Sequence, residues 1–254
     1  MFHRPLLTLA LLSATSLAVV AQNETPLLRD ETASIKKKLV AAFDAVGQPP
    51  EGYSKERENF NLPTEAYKVQ SSGLFSATHC SAERTYGSEK KTKQSATDIQ
   101  KEYQKKFAEA QAKGDVQTLT KLAQEMQQKA GQMQVKAMEA QKEPIRITVQ
   151  FNANPSATID PDAVVFEKTG VIALKTMDDG TDEKGKVTVY VDPVALKDTK
   201  QLSKVEMKLP PKGTSAKIAI FNAVVEFHGP ISAIEPWAKK LDTGKILAQI
   251  DGKY

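Results

Sequence analysis

The stretch that decides the fold is Ile145-Arg146-Ile147-Thr148-Val149-Gln150-Phe151-Asn152, which directly follows Pro144. Apolar and polar residues alternate in it without a break. Because successive side chains of a β-strand point to opposite faces, the alternation predicts a strand with one buried face and one polar face. Strands of this kind belong to antiparallel sheets that are covered on one side.

The β pattern continues toward the C-terminus. Further strands are predicted at 163–168, 170–176, 186–192, 203–209 and 216–228. Turn residues separate two of them, namely Asp178-Asp179-Gly180 and Lys184-Gly185. Near the end, Ser232 and Glu235 have the spacing of a capping box. They predict a short helix that carries Trp237 and Leu241 and ends at Gly244, followed by an edge strand from Ile246 to Ile250.

Residues 88–142 have a different character. They contain eleven Lys, eleven Gln and seven acidic residues, and their apolar residues recur at helical spacing. One apolar stripe runs from Ile99 to Ala110 and a second runs from Val116 to Ala137. Gly114 can end one helix and Asp115 can cap the next, so the pattern favours a helical hairpin over one long rod. Packing of this hairpin on its own sheet is the first interpretation of its apolar stripes, and binding to a partner helix or to a membrane surface are the alternatives.

The segment before the hairpin predicts one helix and one strand pair. Thr25-Pro26 has the form of an N-cap with proline at the first helical position, and Gly47 supplies the stop. Residues 47–64 are predicted to be irregular. Two strands are expected within 65–86, around Ser71-Ser72-Gly73, with Ala77 to Cys80 in the second.

These patterns predict an α+β protein, an antiparallel β-rich domain with an N-terminal helix and an inserted α-helical hairpin. The predicted parts are a signal peptide at 1–21, the helix and first strand pair at 22–87, the hairpin at 88–142 and the β-rich region with a short C-terminal helix at 143–254.

The N-terminus has the pattern of an export signal. Arg4 precedes an uncharged run from Leu6 to Ala21, and Val19 and Ala21 provide the modest side chains that a signal peptidase accepts. The run has 16 residues, which is shorter than the roughly 20 that a membrane span requires. We therefore expect cleavage before Gln22 and a periplasmic or secreted protein without an integral span in the mature chain. Asn23-Glu24-Thr25 would accept a glycan only in a eukaryotic secretory pathway.

Composition limits the mature chain further. Without Arg4 it has 34 basic and 31 acidic residues, a net charge of +3, which neither requires nor excludes an anionic partner. Cys80 is the single cysteine, so an internal disulfide is excluded and stability must come from a packed core. The basic hairpin lacks the interleaved aromatic residues that stack on bases, and export also argues against nucleic acid as a partner.

Catalytic and metal-binding motifs are not found in the sequence. It has no nucleophile elbow, no H-E-x-x-H, no phosphate-binding glycine loop and no C-x-x-C. His79, Cys80 and His228 could form a metal or redox site only if they converge, whereas neighbours on a strand point to opposite faces. No catalytic, cofactor-binding or metal-ligating residue is therefore predicted.

Two weaker metal patterns have simpler explanations. Met126, Met133 and Met138 are thioethers that suit Cu(I), but methionine on an apolar stripe is more typical of core packing. The acidic residues of a predicted turn depart from the spacing of a calcium loop, namely Asp178, Asp179, Asp182 and Glu183. Asp160 and Asp162 are interpreted as turn residues.

The sequence thus favours a non-catalytic exported protein that binds a small molecule or a protein partner in the cell envelope. An exported hydrolase that uses two dispersed carboxylates is the first alternative, since such a pair leaves no sequence signature. A metal-handling protein is the second.

Cleavage before Gln22 can be tested on the full chain expressed in a secreting bacterium. N-terminal sequencing of the exported protein should begin at Gln22. Ala21→Arg should leave the precursor uncleaved, because the peptidase needs a small residue immediately before the cut. Val20→Ala, one position further back, should be cleaved normally, and an intact N-terminus in the exported wild type would contradict the prediction.

Overall fold

The computed structural model describes residues 24–69, 72–88, 96–139, 142–178, 183–210 and 212–251. The predicted signal peptide and Asn23 lie outside these ranges. The strands are β1 (Glu24–Pro26), β2 (Tyr53–Asn61), β3 (Glu65–Tyr67), β4 (Cys80–Ser88), β5 (Ile145–Phe151), β6 (Ser156–Thr158), β7 (Val164–Lys168), β8 (Val171–Met177), β9 (Lys184–Val191), β10 (Lys204–Glu206) and β11 (Ala223–Pro230). The α-helices are α1 (Arg29–Val46), α2 (Ala96–Ala112), α3 (Val116–Glu139), α4 (Ile231–Lys239) and α5 (Thr243–Leu247).

Seven strands form one antiparallel sheet in the order β2-β4-β5-β11-β9-β8-β7. Two small sheets accompany it, β1 with β3 and β6 with β10. The α+β fold class predicted from the sequence is confirmed. None of the described helices combines the length and the apolar character that a membrane crossing needs.

The central strands align their apolar residues on one face of the large sheet. Val149 of β5 lies opposite Val225 of β11, which lies opposite Val189 of β9. All three side chains are fully buried, as are those of the flanking Ile147 and Phe227. The alternation that predicted β5 therefore runs across the sheet, and the apolar face requires a cover.

Helices α1, α4 and α5 provide that cover. Trp237 of α4 contacts Tyr86 of β4 edge-on, with ring centroids 5.0 Å apart, and contacts Phe227 in the same way at 5.8 Å. Its indole N–H donates to the backbone oxygen of Val46 at 2.9 Å. Val46 is the last residue of α1, so its carbonyl has no partner within the helix. Trp237 thus joins two helices and the sheet.

The opposite face of the sheet has two parts. Over β8 and β9 it is apolar and covered, because Leu196, Val205 and Met207 pack on Ile172 and Leu174. Elsewhere on that face polar side chains alternate with the buried core positions. We call this part the polar face; it carries Ser81, Glu83 and Thr85 of β4, Arg146, Thr148 and Gln150 of β5, Glu226 and His228 of β11, and Lys186 and Thr188 of β9.

Helices α2 and α3 form the predicted hairpin between β4 and β5. The Asp115 carboxylate accepts from the backbone N–H of Thr118 at 3.0 Å, so the predicted cap is confirmed. Tyr103, Ala110 and Leu122 are buried in a small core with Phe107 and Leu119, separate from the two clusters on the sheet. For the side chains that the structure describes, the interpretation that the stripes pack on the sheet is therefore wrong, since they pack between the two helices.

Three N-terminal predictions need correction. Thr25 and Pro26 lie in β1, and α1 begins three residues later, where the Glu31 carboxylate accepts from the backbone N–H of Leu28. Residues 53–61, predicted to be irregular, form β2, which pairs with β4 and so acquires its hydrogen bonds from a distant segment. Strand β4 begins at Cys80, so residues 77–79 precede it.

Four predictions in the C-terminal β-rich region are also wrong. Helix α4 starts at Ile231 directly after β11, so Ser232 lies within the helix and does not cap it. Gly244 lies inside α5, whose cap is Asp242, because the Asp242 carboxylate accepts from the backbone N–H of Lys245. Ile246 is therefore helical and no edge strand forms there. Lys184 and Gly185, predicted as a turn, already belong to β9.

Trp237→Phe tests the junction between α1, α4 and the sheet. The change removes the N–H that satisfies the Val46 carbonyl and leaves a void beside Tyr86. We expect the free energy of unfolding, measured by urea denaturation, to fall by about 2–4 kcal/mol. Tyr67→Phe, at an aromatic residue that is 47% exposed, is the control and should change it by less than about 0.5 kcal/mol. Equal stability of the two variants would contradict the role of Trp237.

Candidate functional site

A shallow cavity of about 320 Å³ opens on the polar face, over β5, β11 and β9. Its floor consists of side chains from these three adjacent strands. Gln150 comes from β5, Val224 and Glu226 come from β11, and Thr188 and Tyr190 come from β9. The sheet register places them together, since Val224 lies opposite both Gln150 and Tyr190, and Glu226 lies opposite Thr188.

The charge in the floor is the carboxylate of Glu226. Lys186 Nζ donates to Glu226 Oε1 at 3.0 Å, and Gln150 Nε2 donates to Glu226 Oε2 at 3.3 Å. Each oxygen thus has one donor, although a carboxylate can accept about four hydrogen bonds. Glu226 therefore keeps acceptor capacity for a ligand while its charge is balanced by Lys186.

Two hydroxyl groups stand beside Glu226. Thr188 and Tyr190 are 6% and 7% exposed. Burial, together with the nearby charge of Glu226, raises the pKa of Tyr190, while a hydrogen bond with the Thr188 side chain acts in the opposite direction. Tyr190 is therefore a neutral phenol, and both hydroxyls can donate and accept hydrogen bonds.

Residues outside the strands form the wall of the cavity. It consists of His79, which precedes β4, and Ala153, Asn154 and Pro155, which follow β5. The His79 ring is exposed and Ala153 is buried. The wall therefore combines one imidazole and the amide of Asn154 with an apolar surface.

Asn152 holds this wall in place. Its side chain donates to the carbonyls of Thr78 at 2.9 Å and Ala219 at 2.8 Å, and accepts from the backbone N–H of Phe221 at 2.8 Å. Asn152 has a φ of 54°, a left-handed conformation that asparagine tolerates better than most residues. The sequence predicts Asn152 as a polar strand residue; it is instead 3% exposed and ends the strand.

A second buried asparagine supports the same wall. Asn222 Nδ2 donates to the carbonyl of Ala153 at 2.9 Å, and the backbone N–H of Asn152 donates to the carbonyl of Asn222 at 3.1 Å. Asn222 is fully buried. The two asparagines therefore connect the end of β5, the start of β11 and the segment before β4.

The structure does not bring His79, Cys80 and His228 together. Cys80 lies opposite Phe151 on the face that the helices cover and is 1% exposed. Burial raises the pKa of its thiol to about 12, while Lys38 acts weakly in the opposite direction. His228 lies on the polar face, five residues along β11 from the level of Cys80, which corresponds to about 17 Å. Only His79 lines the cavity.

The other predicted positions are equally dispersed. His228 Nε2 lies 3.2 Å from the carboxylate of Asp178, and Met126 is 38% exposed on α3. Asp160, predicted as a turn residue, caps a short 3-10 helix (Pro161–Ala163) by accepting from the backbone N–H of Asp162. The side chains of Met133 and Met138, and residues Asp179 and Asp182, lie outside the description. Within the described ranges no three His, Cys, Asp or Glu side chains are grouped as metal ligands would be.

Two carboxylates of the described strands, Glu226 and Glu83, lie on the polar face. Glu226 is the one carboxylate in the described lining of the cavity. Glu83 lies on the same row of the sheet, two strands away, which places the two backbones about 10 Å apart. It is 3.8 Å from Arg146. Each of these two carboxylates thus lies beside a cation.

Comparison with protein-family models, with curated proteins and with solved structures gives no significant match to this chain. The chemistry of the cavity is therefore the guide to function. Sequence reasoning missed Gln150, Thr188, Tyr190 and Glu226 as a site. Strand alternation places each of them on the polar face, but only the register between strands shows that they meet.

Asn152→Ala tests whether Asn152 builds the cavity wall. It removes three hydrogen bonds of a buried side chain, among them the one that it accepts from the N–H of Phe221. We expect a loss of about 2–4 kcal/mol in the free energy of unfolding. Asn154→Ala, an exposed asparagine on the same loop, is the matched control and should cost less than about 0.5 kcal/mol.

Asn152→Asp refines the same test, because it keeps the shape and the acceptor but loses both donors. It should also destabilise the protein in urea denaturation. A free energy of unfolding as high as that of the wild type for both Asn152 variants would contradict the proposed support of the wall.

Proposed function

We propose that the chain is an exported, non-catalytic binding protein of the cell envelope, periplasmic or secreted, that takes a small molecule in the cavity on its polar face. The observation that carries this proposal is the convergence of Gln150, Thr188, Tyr190 and Glu226 from three adjacent strands. Ligand pockets typically combine an apolar surface with a few placed polar groups, in volumes of roughly 300–1,000 Å³.

The chemistry of the cavity favours binding over catalysis. A hydrolase of the serine type needs a nucleophile bonded to a base, and a glycosidase needs two facing carboxylates. The described lining offers one carboxylate, Glu226, whose oxygens are engaged by Lys186 and Gln150. The rigid position of these groups on paired strands suits a site that recognises shape and hydrogen-bonding pattern.

Export is supported by the sequence of residues 1–21. The cavity favours a small molecule over a protein partner, since the polar groups converge on a concave surface instead of a broad flat one.

Native mass spectrometry on protein purified from the envelope fraction of its source tests the proposal. We expect a population that carries one added small-molecule mass on the chain beginning at Gln22. Glu226→Gln should reduce this population, because the amide replaces an acceptor with a donor in the floor of the cavity.

Glu83→Gln is the matched control, since Glu83 has the same side chain on the same row of the polar face but lies outside the cavity lining. It should retain the wild-type population. An unmodified mass for the wild type, or equal loss in both variants, would contradict the cavity as the binding site. An added mass that corresponds to a second protein would mean that the partner is a protein and not a small molecule.

A further inference from the structure

We infer that the ligand is a neutral polyhydroxylated molecule, namely a mono- or disaccharide. This inference rests on the proposed function, because it assigns a chemical class to the same cavity. It depends on three properties of the site: its balanced charge, the kind of hydrogen-bonding groups in its floor and the apolar part of its surface.

The charge balance favours an uncharged ligand. Glu226 already has Lys186 Nζ at 3.0 Å. A cationic ligand would have to displace this ammonium group, and an anionic ligand would be placed against a carboxylate. A neutral ligand leaves the pair intact and can donate hydrogen bonds to the remaining lone pairs of Glu226, where bonds to a charged acceptor are the stronger ones.

The floor matches groups that both donate and accept. Tyr190 and Thr188 carry hydroxyls, each a donor and an acceptor, and the Gln150 amide likewise presents both. An amine or a carboxylate ligand would satisfy only half of this set, whereas each hydroxyl of a sugar can donate to Glu226 or accept from Tyr190. A site built this way strongly disfavours an analogue that lacks the hydroxyl, because the buried polar groups then remain unpaired.

The remaining surface suits the C–H groups of a sugar ring. Val224, Ala153 and Pro155 present apolar atoms beside the polar floor, and Val224 and Ala153 are buried. A volume of about 320 Å³ lies at the small end of the range for ligand pockets. The cavity is therefore matched to one or two sugar units.

Saturation-transfer NMR on the full exported protein tests this class directly. The probes are glucose, galactose, N-acetylglucosamine and maltose, each at millimolar concentration, with the diamine putrescine and the anion citrate as charged comparisons. We expect transfer to at least one sugar and none to putrescine or citrate. For the sugar that binds, we compare the analogue that lacks the hydroxyl in contact with Glu226. This analogue should bind more weakly by about tenfold or more.

Two variants locate the binding without disturbing the fold. Thr188→Val keeps the shape and the β-branch but removes a hydroxyl, and Glu226→Gln removes the charge. Each should weaken sugar binding by about tenfold. Thr148→Val and Glu83→Gln are their matched controls on the same row of the polar face and should bind as the wild type does.

The outcomes separate this inference from the proposed function. Transfer to putrescine or citrate alone, or sugar binding that is equal in Thr188→Val and the wild type, would overturn the saccharide assignment. If no sugar binds while mass spectrometry still shows a small-molecule adduct that Glu226→Gln removes, the cavity is a binding site and the ligand class is wrong. If neither is found, the proposed function fails as well.

Discussion

The structure depends on the two-residue period of its central strands. Once Ile147, Val149 and Phe151 face one side of β5, the neighbouring strands can pair only in registers that add apolar residues to that side, and Val225 and Val189 do so. The resulting dry face must be covered, and α1, α4 and α5 cover it through contacts such as that of Trp237 with Tyr86. The same period leaves Gln150, Glu226 and Thr188 on the other side. The core and the candidate site are thus two consequences of one pattern.

At the end of β5 the alternation of apolar and polar residues stops, and buried polar side chains hold the neighbouring segments by hydrogen bonds. Asn152 adopts a positive φ and makes three side-chain hydrogen bonds, which fix segments that are far apart in sequence. Buried networks of this kind are costly when incomplete and specific when satisfied. Here they determine where Ala153 and His79 stand, so the geometry of the cavity wall depends on side chains that do not themselves reach the cavity.

The sequence predicted the elements whose pattern is local. Strand β5, the Asp115 cap and the helix that ends before Gly47 all follow from residues close to one another. Strand β2 was missed because its charged side chains, such as Lys55 and Arg57, lie on an edge strand where only pairing with β4 defines the structure. The strand predicted at Ile246 was wrong because the Asp242 cap outweighed the apolar run. The cavity could not be predicted, since the meeting of Gln150 with Glu226 depends on a register across 76 positions.

The inserted hairpin also has a consequence for the order of folding. Strands β4 and β5 are direct neighbours in the sheet, yet 56 residues separate Ser88 from Ile145. Closing a chain segment of this length costs entropy before the strand contacts can compensate for it. Helices form on a faster timescale than distant strands pair, and α2 and α3 have their own small core. Early formation of the hairpin would bring its two ends together and turn a long-range pairing into a nearly local one. The hairpin would then act on the rate at which the sheet assembles.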